Sequence, residues 1–405
     1  KRLYYYSYYI LSLLLVFFSI FTFFINRIFK TYLMISVVSI TFILYFFEGY
    51  LIIKEKKEQT LRNEIQVLKE NLYEKKTGKK WDKRTRFKIY QDLKKKNNKI
   101  SIAIRTNSNI EEDLDLIPLS GVSNVKTIHC NENGYYSIYL SDRYGFNNPN
   151  QEWDKEEIEY VLIGDSHTHG NCVNRPNDIA SVLRQISKKT VLNLGYRGTG
   201  SLIHFATLRE YLKKNVKKVL WIYYENDLGD LNNELKSELL SKYIVDSNFS
   251  QKLLLIQNKI NLDINKKIFD ASNNIIINDP KFNFLKFVKL YNLRSLKLKK
   301  QNSSNLEEFE KIIKLAKNLT DKNNSKLYFV YLPSWESFNL RVNDANYNSI
   351  KNLINELNIP FIDIYKEILK NEKNPLKLFP FEMYAHYNVE GYRKISEIIF
   401  NLTKN

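Results

Sequence analysis

The sequence predicts an α/β protein: a three-layer, doubly wound (flavodoxin-like) parallel five-stranded sheet, preceded by a two-helix transmembrane hairpin. Three observations predict it. Five short, nearly continuous apolar runs recur in the second half of the chain, most of them separated by helical patterns. Strands of that kind, alternating with helices, form parallel sheets covered on both faces. The polar clusters all fall just after such runs, at the edge where open parallel sheets gather function. Two long apolar stretches stand at the front of the 405-residue chain.

The front comes first. Leu3 to Ile25 is apolar or aromatic with only Ser and Thr as polar relief, and Thr31 to Ile53 is equally long with a single charge, Glu48. About 20 apolar residues suffice to cross a bilayer as a helix. Asn26 to Lys30 has room only for a tight turn, and Tyr4, Tyr5, Tyr6, Tyr8 and Tyr9 crowd one end of the first run, where ring and hydroxyl suit the headgroup layer. A cleaved signal peptide is disfavoured, because the first run is too long and lacks a small-residue cleavage site. Residues 1–53 are therefore expected to form a membrane hairpin, with the lipid bilayer as partner. The flanking charges do not fix its orientation. Arg27 and Lys30 in the turn oppose Lys54, Lys56, Lys57 and Arg62 beyond it, with Lys1-Arg2 on the side of the latter. Taken alone they lean slightly toward a cytoplasmic catalytic domain. Cys130 and Cys172 make no disulfide framework, so they leave the redox compartment open.

A formal charge of +18 invites a nucleic-acid reading. The lysines, however, are spread widely among Asn, Ile and Glu, and the densest stretch, Lys75 to Lys99, lies near the anchor, where anionic headgroups are the nearer partner. No nucleic acid is expected.

Residues 54–98 read as a charged helical stalk. Leu61, Ile65, Leu68 and Leu72 trace a narrow coiled-coil stripe, which allows either a homodimer through the stalk or packing on the chain's own domain. Residues 99–155 read as a small β-rich region, with Gly121, Gly134 and Gly145 separating short alternating runs. The domain of 156–405 follows. Its strands are Tyr160–Ile163, Val191–Leu194, Val219–Tyr223, Leu327–Tyr331 and Phe361–Ile364. Its helices are Asp178–Ser187, Leu202–Lys214, Leu306–Leu319 and Tyr347–Leu357. The long gap between the third and fourth strands reads as a helical insertion at about 230–305.

The chemistry sits at the strand ends. Gly164-Asp165-Ser166 follows the first strand, Gly198 lies in the loop after the second, Glu225-Asn226-Asp227 follows the third, and His386 stands just before the closing helix. A serine hydroxyl is a poor nucleophile until a positioned imidazole takes its proton. His167 and His169 tempt a metal reading together with Cys172 and His204. On a helix, however, residues two apart point to different faces. Neither metal nor cofactor is expected.

These blocks resemble the SGNH (GDSL-type) hydrolase superfamily. The match covers about Glu159 to Leu402 and includes the order of the blocks and the run His386-Tyr387-Asn388-Val389 entering the last helix. The resemblance implies an acyl-serine mechanism with Ser166 as nucleophile and His386 as base. The oxyanion would be held by the Ser166 and Gly198 N–H groups and the Asn226 amide. One position departs: where the family places an aspartate shortly before its histidine, this chain has Met383 and Tyr384, and Glu382 is the nearest carboxylate. Either Glu382 or a backbone carbonyl would orient His386, or the site is silent. Arg197 and Trp335 are candidates for substrate binding, an arginine and an aromatic ring being suited to a sugar or acidic glycan. Membrane-tethered members of the superfamily often act on cell-surface polysaccharide, so the resemblance implies an extracytoplasmic esterase or O-acyltransferase with an acylated glycan as substrate. The alternative is a catalytically inactive glycan-binding or scaffolding protein.

Overall fold

The computed structural model of the chain describes residues 2–106, 115–275, 284–299, 305–342 and 344–404. It divides into two compact units, one of residues 1–66 with 279–301 and one of residues 67–278 with 302–405.

In the first unit, α1 (Arg2–Phe21) and a 3-10 turn (Thr22–Phe24) precede α2 (Arg27–Thr77). Asn26 caps α2 by accepting the Phe29 N–H at 2.8 Å. Both expected arms are helical, but their antiparallel packing as a hairpin is not shown: apolar side chains such as Leu13, Leu14 and Val38 stay exposed. Nor does the second arm stop at Ile53. It runs on as one helix through the charged stretch, because no Pro or Gly interrupts Lys54 to Thr77. Gly78, at φ +68°, ends it in the left-handed conformation that glycine adopts without penalty. Among the described residues, α2 is the one helix long and apolar enough to cross a membrane. Leu61, Ile65 and Leu68 are exposed along it.

The second unit takes in the end of α2 from Val67 on, then α3 (Arg86–Lys94) and a three-stranded sheet of β1 (Ile100–Ile102), β2 (Lys126–Ile128) and β3 (Ile138–Leu140). β1 pairs parallel to β2, and β2 antiparallel to β3. The turn between β2 and β3 carries Cys130 and Glu132.

The main sheet follows. β4 (Ile158–Gly164), α4 (Ser166–His169), α5 (Ile179–Ser187), β5 (Val191–Asn193), α6 (Ser201–Tyr211) and β6 (Val216–Tyr224) form its first half. The expected insertion begins with α7 (Asp227–Glu234), α8 (Glu238–Val245) and α9 (Gln257–Ile275). It continues with α10 (Phe284–Val288) and α11 (Tyr291–Lys299), which belong to the first unit. Residues 276–283 and 300–304 of that insertion lie outside the described residues. The second half is α12 (Leu306–Lys322), β7 (Lys326–Leu332), α13 (Trp335–Leu340), α14 (Tyr347–Glu356), β8 (Phe361–Asp363), α15 (Ile364–Asn371) and α16 (Val389–Thr403).

The strand order is β5-β4-β6-β7-β8, all parallel. This is the doubly wound sheet the sequence predicts. Alternation along each strand splits the core in two. Val161, Ile163, Val219, Trp221, Phe329 and Tyr331 face α6, α12 and α14, whereas Tyr160, Leu162, Leu220, Ile222, Tyr328 and Val330 face α5, α15 and α16. The chain reverses direction across the sheet beside β4. The crevice at the carboxyl ends of β4 and β6 is therefore the topological switch point where such sheets bind ligands.

Candidate active site

β4 delivers Ser166 to that crevice. Its last residue, Gly164, has no alternative: a Cβ there would lie 2.1 Å from Thr168 Oγ1 and 2.6 Å from the Ile222 carbonyl. Asp165 caps α4 by accepting the His167 N–H at 2.8 Å, and it lies 3.1 Å from the Ser166 hydroxyl. Burial raises the Asp165 carboxyl to about 6. α4 is a single turn, so Ser166 stands before local N–H groups and not the dipole of a long helix.

Ser166 Oγ lies 3.0 Å from His386 Nε2. The loop ahead of α16 holds His386, with Asn388 capping that helix through the Gly391 N–H. On the other side of the ring, His386 Nδ1 lies 2.9 and 3.1 Å from the two carboxylate oxygens of Glu132, which also accepts the His386 backbone N–H at 2.7 Å. The carboxylate therefore fixes the tautomer, with the proton on Nδ1 and the Nε2 lone pair toward serine. Burial pushes the His386 pKa down, but the Glu132 charge and hydrogen bond outweigh it, and the net shift is upward. For Glu132, burial pushes the pKa up and the paired imidazole outweighs it, so the carboxyl sits below its ordinary range.

Glu132, and not Glu382, is the carboxylate that meets His386. Phe381 and Glu382 both adopt positive φ, 57° and 60°. The Glu382 carboxylate accepts from Asn374 Nδ2 at 3.2 Å, and its carbonyl accepts from Trp335 Nε1 at 3.0 Å. The carboxylate comes instead from the small N-terminal sheet, far upstream of the histidine. Two connections hold that turn to the nucleophile loop: a disulfide between Cys130 and Cys172, and a hydrogen bond from Asn133 Nδ2 to the Cys172 carbonyl at 2.9 Å. The two cysteines that seemed to build no framework thus make one bridge, close to Glu132 and His386. Cys172 Sγ lies within 4.8 Å of donor atoms of both Glu132 and His386. Lys69 of α2 donates to the Tyr384 carbonyl at 2.9 Å and braces the histidine loop.

Two further polar residues lie beside Ser166 and His386. Asn171 Nδ2 lies 2.9 Å from His386 Nε2, an interaction sequence reasoning missed although Asn171 stands only five residues after Ser166. His167 stacks on Tyr224 with ring centroids 3.9 Å apart and stands 4.7 Å from His386. Burial, then the nearby His386, holds its pKa well below normal, so it is neutral. His169 packs elsewhere, against His129 and Tyr196, and His204 bonds Thr199; these histidines do not converge.

Gly198 sits at φ +67°, and a Cβ there would lie 2.8 Å from Arg105 Cγ. Its loop is held by Glu234, which accepts the N–H groups of Gly200, Leu202 and Ile203. Asn226 is exposed at the start of α7, where its amide donates to Asp230 at 3.1 Å. Arg197 turns toward backbone rather than toward serine, donating to the Ala103 and His129 carbonyls beside Arg86, which donates to the same two. Burial, with Arg86 next, lowers its pKa to about 10. Trp335 opens α13 with its ring 6.4 Å from that of exposed Tyr384, on the loop that leads to His386.

No family model and no curated protein matches the chain. Among solved structures, it is similar to a protein described as a lipolytic protein of the G-D-S-L family from Desulfitobacterium hafniense, at 15% identity over 61% of this chain and 99% of that one, with a TM-score of 0.32. The acetyl xylan esterase AlAXEase is similar at 14% identity over 60% of this chain and 99% of that one, with a TM-score of 0.34. A Bacillus subtilis protein matches at 10% identity over 61% of this chain and 56% of that one, also with a TM-score of 0.34. At such values the likeness says nothing of activity, which has to be read from the site itself.

Proposed function

We propose that the protein is a membrane-anchored serine esterase or O-acyltransferase that works through an acyl-serine intermediate, with acylated cell-surface carbohydrate as its substrate. The observation that carries this reading is the continuous chain Ser166–His386–Glu132, with bonded contacts of 3.0 and 2.9 Å. Neutral His386 takes the hydroxyl proton on Nε2 while Ser166 Oγ bonds to the ester carbonyl carbon, and Glu132 stabilises the imidazolium. The carbonyl electrons move onto oxygen, toward the Ser166 and Gly198 N–H groups and the Asn226 amide. Each such donor is worth about 3 kcal/mol in the transition state. The tetrahedral species collapses, the alcohol leaves with the proton from His386, and water or a sugar hydroxyl repeats the sequence on the acyl-serine. Water makes the protein an esterase; a sugar hydroxyl makes it a transferase.

Two features support an extracytoplasmic glycan. The disulfide bridge suits an oxidising compartment. Half-buried Trp335 on α13 and exposed Tyr384 on the loop leading to the histidine stand edge to face, 6.4 Å apart, and offer apolar ring surface to a sugar. The testing experiment is labelling with a fluorophosphonate serine probe. Wild type is expected to label and Ser166→Ala to remain dark while retaining its fold by circular dichroism. Equal labelling of the two would remove Ser166 as nucleophile, and an unlabelled wild type would favour a silent binding protein.

A further inference from the structure

The insertion between the third and fourth main-sheet strands does more than lengthen the domain. Its α10 and α11 belong to the same compact unit as the apolar part of α2. The attachment is specific. Glu48, fully buried, accepts the backbone N–H groups of Asn292 at 2.9 Å and Leu293 at 2.8 Å, and so caps the first turn of α11. Tyr45 donates its hydroxyl to the Val288 carbonyl at 3.0 Å, and its ring lies 5.3 Å from Phe287. Glu48 is the one charge in an apolar run that gives way to Lys54-Glu55-Lys56-Lys57. It therefore pins α11 close to the level at which α2 changes from apolar to charged.

The helix pair is apolar on the outside. Phe284, Leu285, Val288, Tyr291 and Leu296 are exposed, Phe284 by 65% and Leu285 by 63%. Phe284, Leu285 and Val288 are spaced to share one face, as helix geometry requires for residues three and four apart. Between them stand Lys286, Lys289 and Arg294, all exposed. Phe284 to Lys299 contains five basic residues and no acidic one. A short basic, aromatic-rich helix pair fixed where a membrane-spanning helix meets charge is built for the headgroup region, with rings toward acyl chains and cations toward phosphate.

We propose that α10 and α11 lie in the surface of an anionic phospholipid bilayer as an in-plane contact, giving the protein a second membrane attachment beside α2. The proposal rests on α2 crossing the membrane. The full-length protein is reconstituted in phosphatidylcholine vesicles doped with phosphatidylglycerol, and the environment-sensitive NBD fluorophore is placed in turn at Leu285→Cys, Val288→Cys, Val38→Cys and Val245→Cys. Nitroxide lipids labelled near the headgroup then serve as quenchers. Positions 285 and 288 are expected to emit to the blue and to be quenched at least about twofold more than exposed Val245 on α8. Water-like emission at 285 and 288, with position 38 quenched by deeply labelled lipid, would overturn the in-plane contact and leave the anchor standing. Blue emission at 285 without lipid quenching would also overturn it, in favour of a second copy of the chain covering this face. An unquenched position 38 would remove the anchor, and the surface contact with it.

Discussion

Glu132 is the residue on which the catalytic reading turns, and it was not legible. The carboxylate nearest His386 in sequence, where a short loop would bring one by chain proximity alone, is Glu382. The carboxylate that meets His386 arrives through tertiary structure, which leaves no spacing to read. A signal did exist: Cys130 and Cys172 are the only cysteines. Pairing them would have brought Glu132, two positions from one, to the loop that holds Ser166. Glu132→Gln keeps the shape but cannot hold the imidazolium, so kcat/KM for a small acetyl ester is expected to fall by at least about 100-fold. Glu382→Gln is expected to stay within about twofold of wild type, well under the roughly 1.4 kcal/mol of a tenfold effect. The pH profile carries an independent sign. His386 must be neutral to accept the proton, and its pKa is raised above the usual 6.5. Activity is thus lost as pH falls through that raised value, and in Glu132→Gln the residual activity should persist to lower pH. An acid limb that does not move would detach Glu132 from His386. Trp335 is tested by comparing an acetylated oligosaccharide with a medium-chain ester. Trp335→Ala should slow the former selectively, and an equal loss on both would refute the sugar platform.

The β2–β3 turn and the Ser166 loop act as one element because the disulfide closes them together. It spans 42 residues of sequence, and a bridge of that length restricts the unfolded chain by about 4 kcal/mol in the chain-entropy account. Cutting it therefore has two separable consequences. Cys130→Ser with Cys172→Ser is expected to lower the melting temperature. At a temperature where the variant is still folded, it should also lower kcat more than KM, since the freed turn holds Glu132 less firmly. A variant with lowered stability but wild-type kcat would make the bridge structural only. Elsewhere the elements were legible where local pattern decides. The five buried strands were found within a few residues of their ends, because strands covered on both faces must be continuously apolar. Asp363, the last residue of β8, caps α15 by accepting the Lys366 N–H. The continuity of α2 past Ile53 was not legible, because a change from apolar to charged residues marks a change of solvent and not the end of a helix.

For the chain taken entire, two physical signals bear on which face of a membrane spanned by α2 residues 67–405 would occupy, and they disagree. The basic residues flanking the apolar runs lean slightly toward the cytoplasm, with Arg27 and Lys30 against Lys1, Arg2, Lys54, Lys56, Lys57 and Arg62. A bias that small is weak, because orientation follows the excess of positive charge on one side. The disulfide is the stronger signal, since cytoplasmic thiols are kept reduced and a bridge that positions the catalytic acid would not persist there. The domain is therefore expected outside. In intact cells, added protease should digest the 67–405 portion. Both cysteines should resist maleimide on denaturing the protein under acid quench, and react only after reduction. A domain protected from protease, with Cys130 and Cys172 alkylated without reductant, would place it in the cytoplasm. That outcome would leave the serine chemistry intact while removing surface glycan as its substrate.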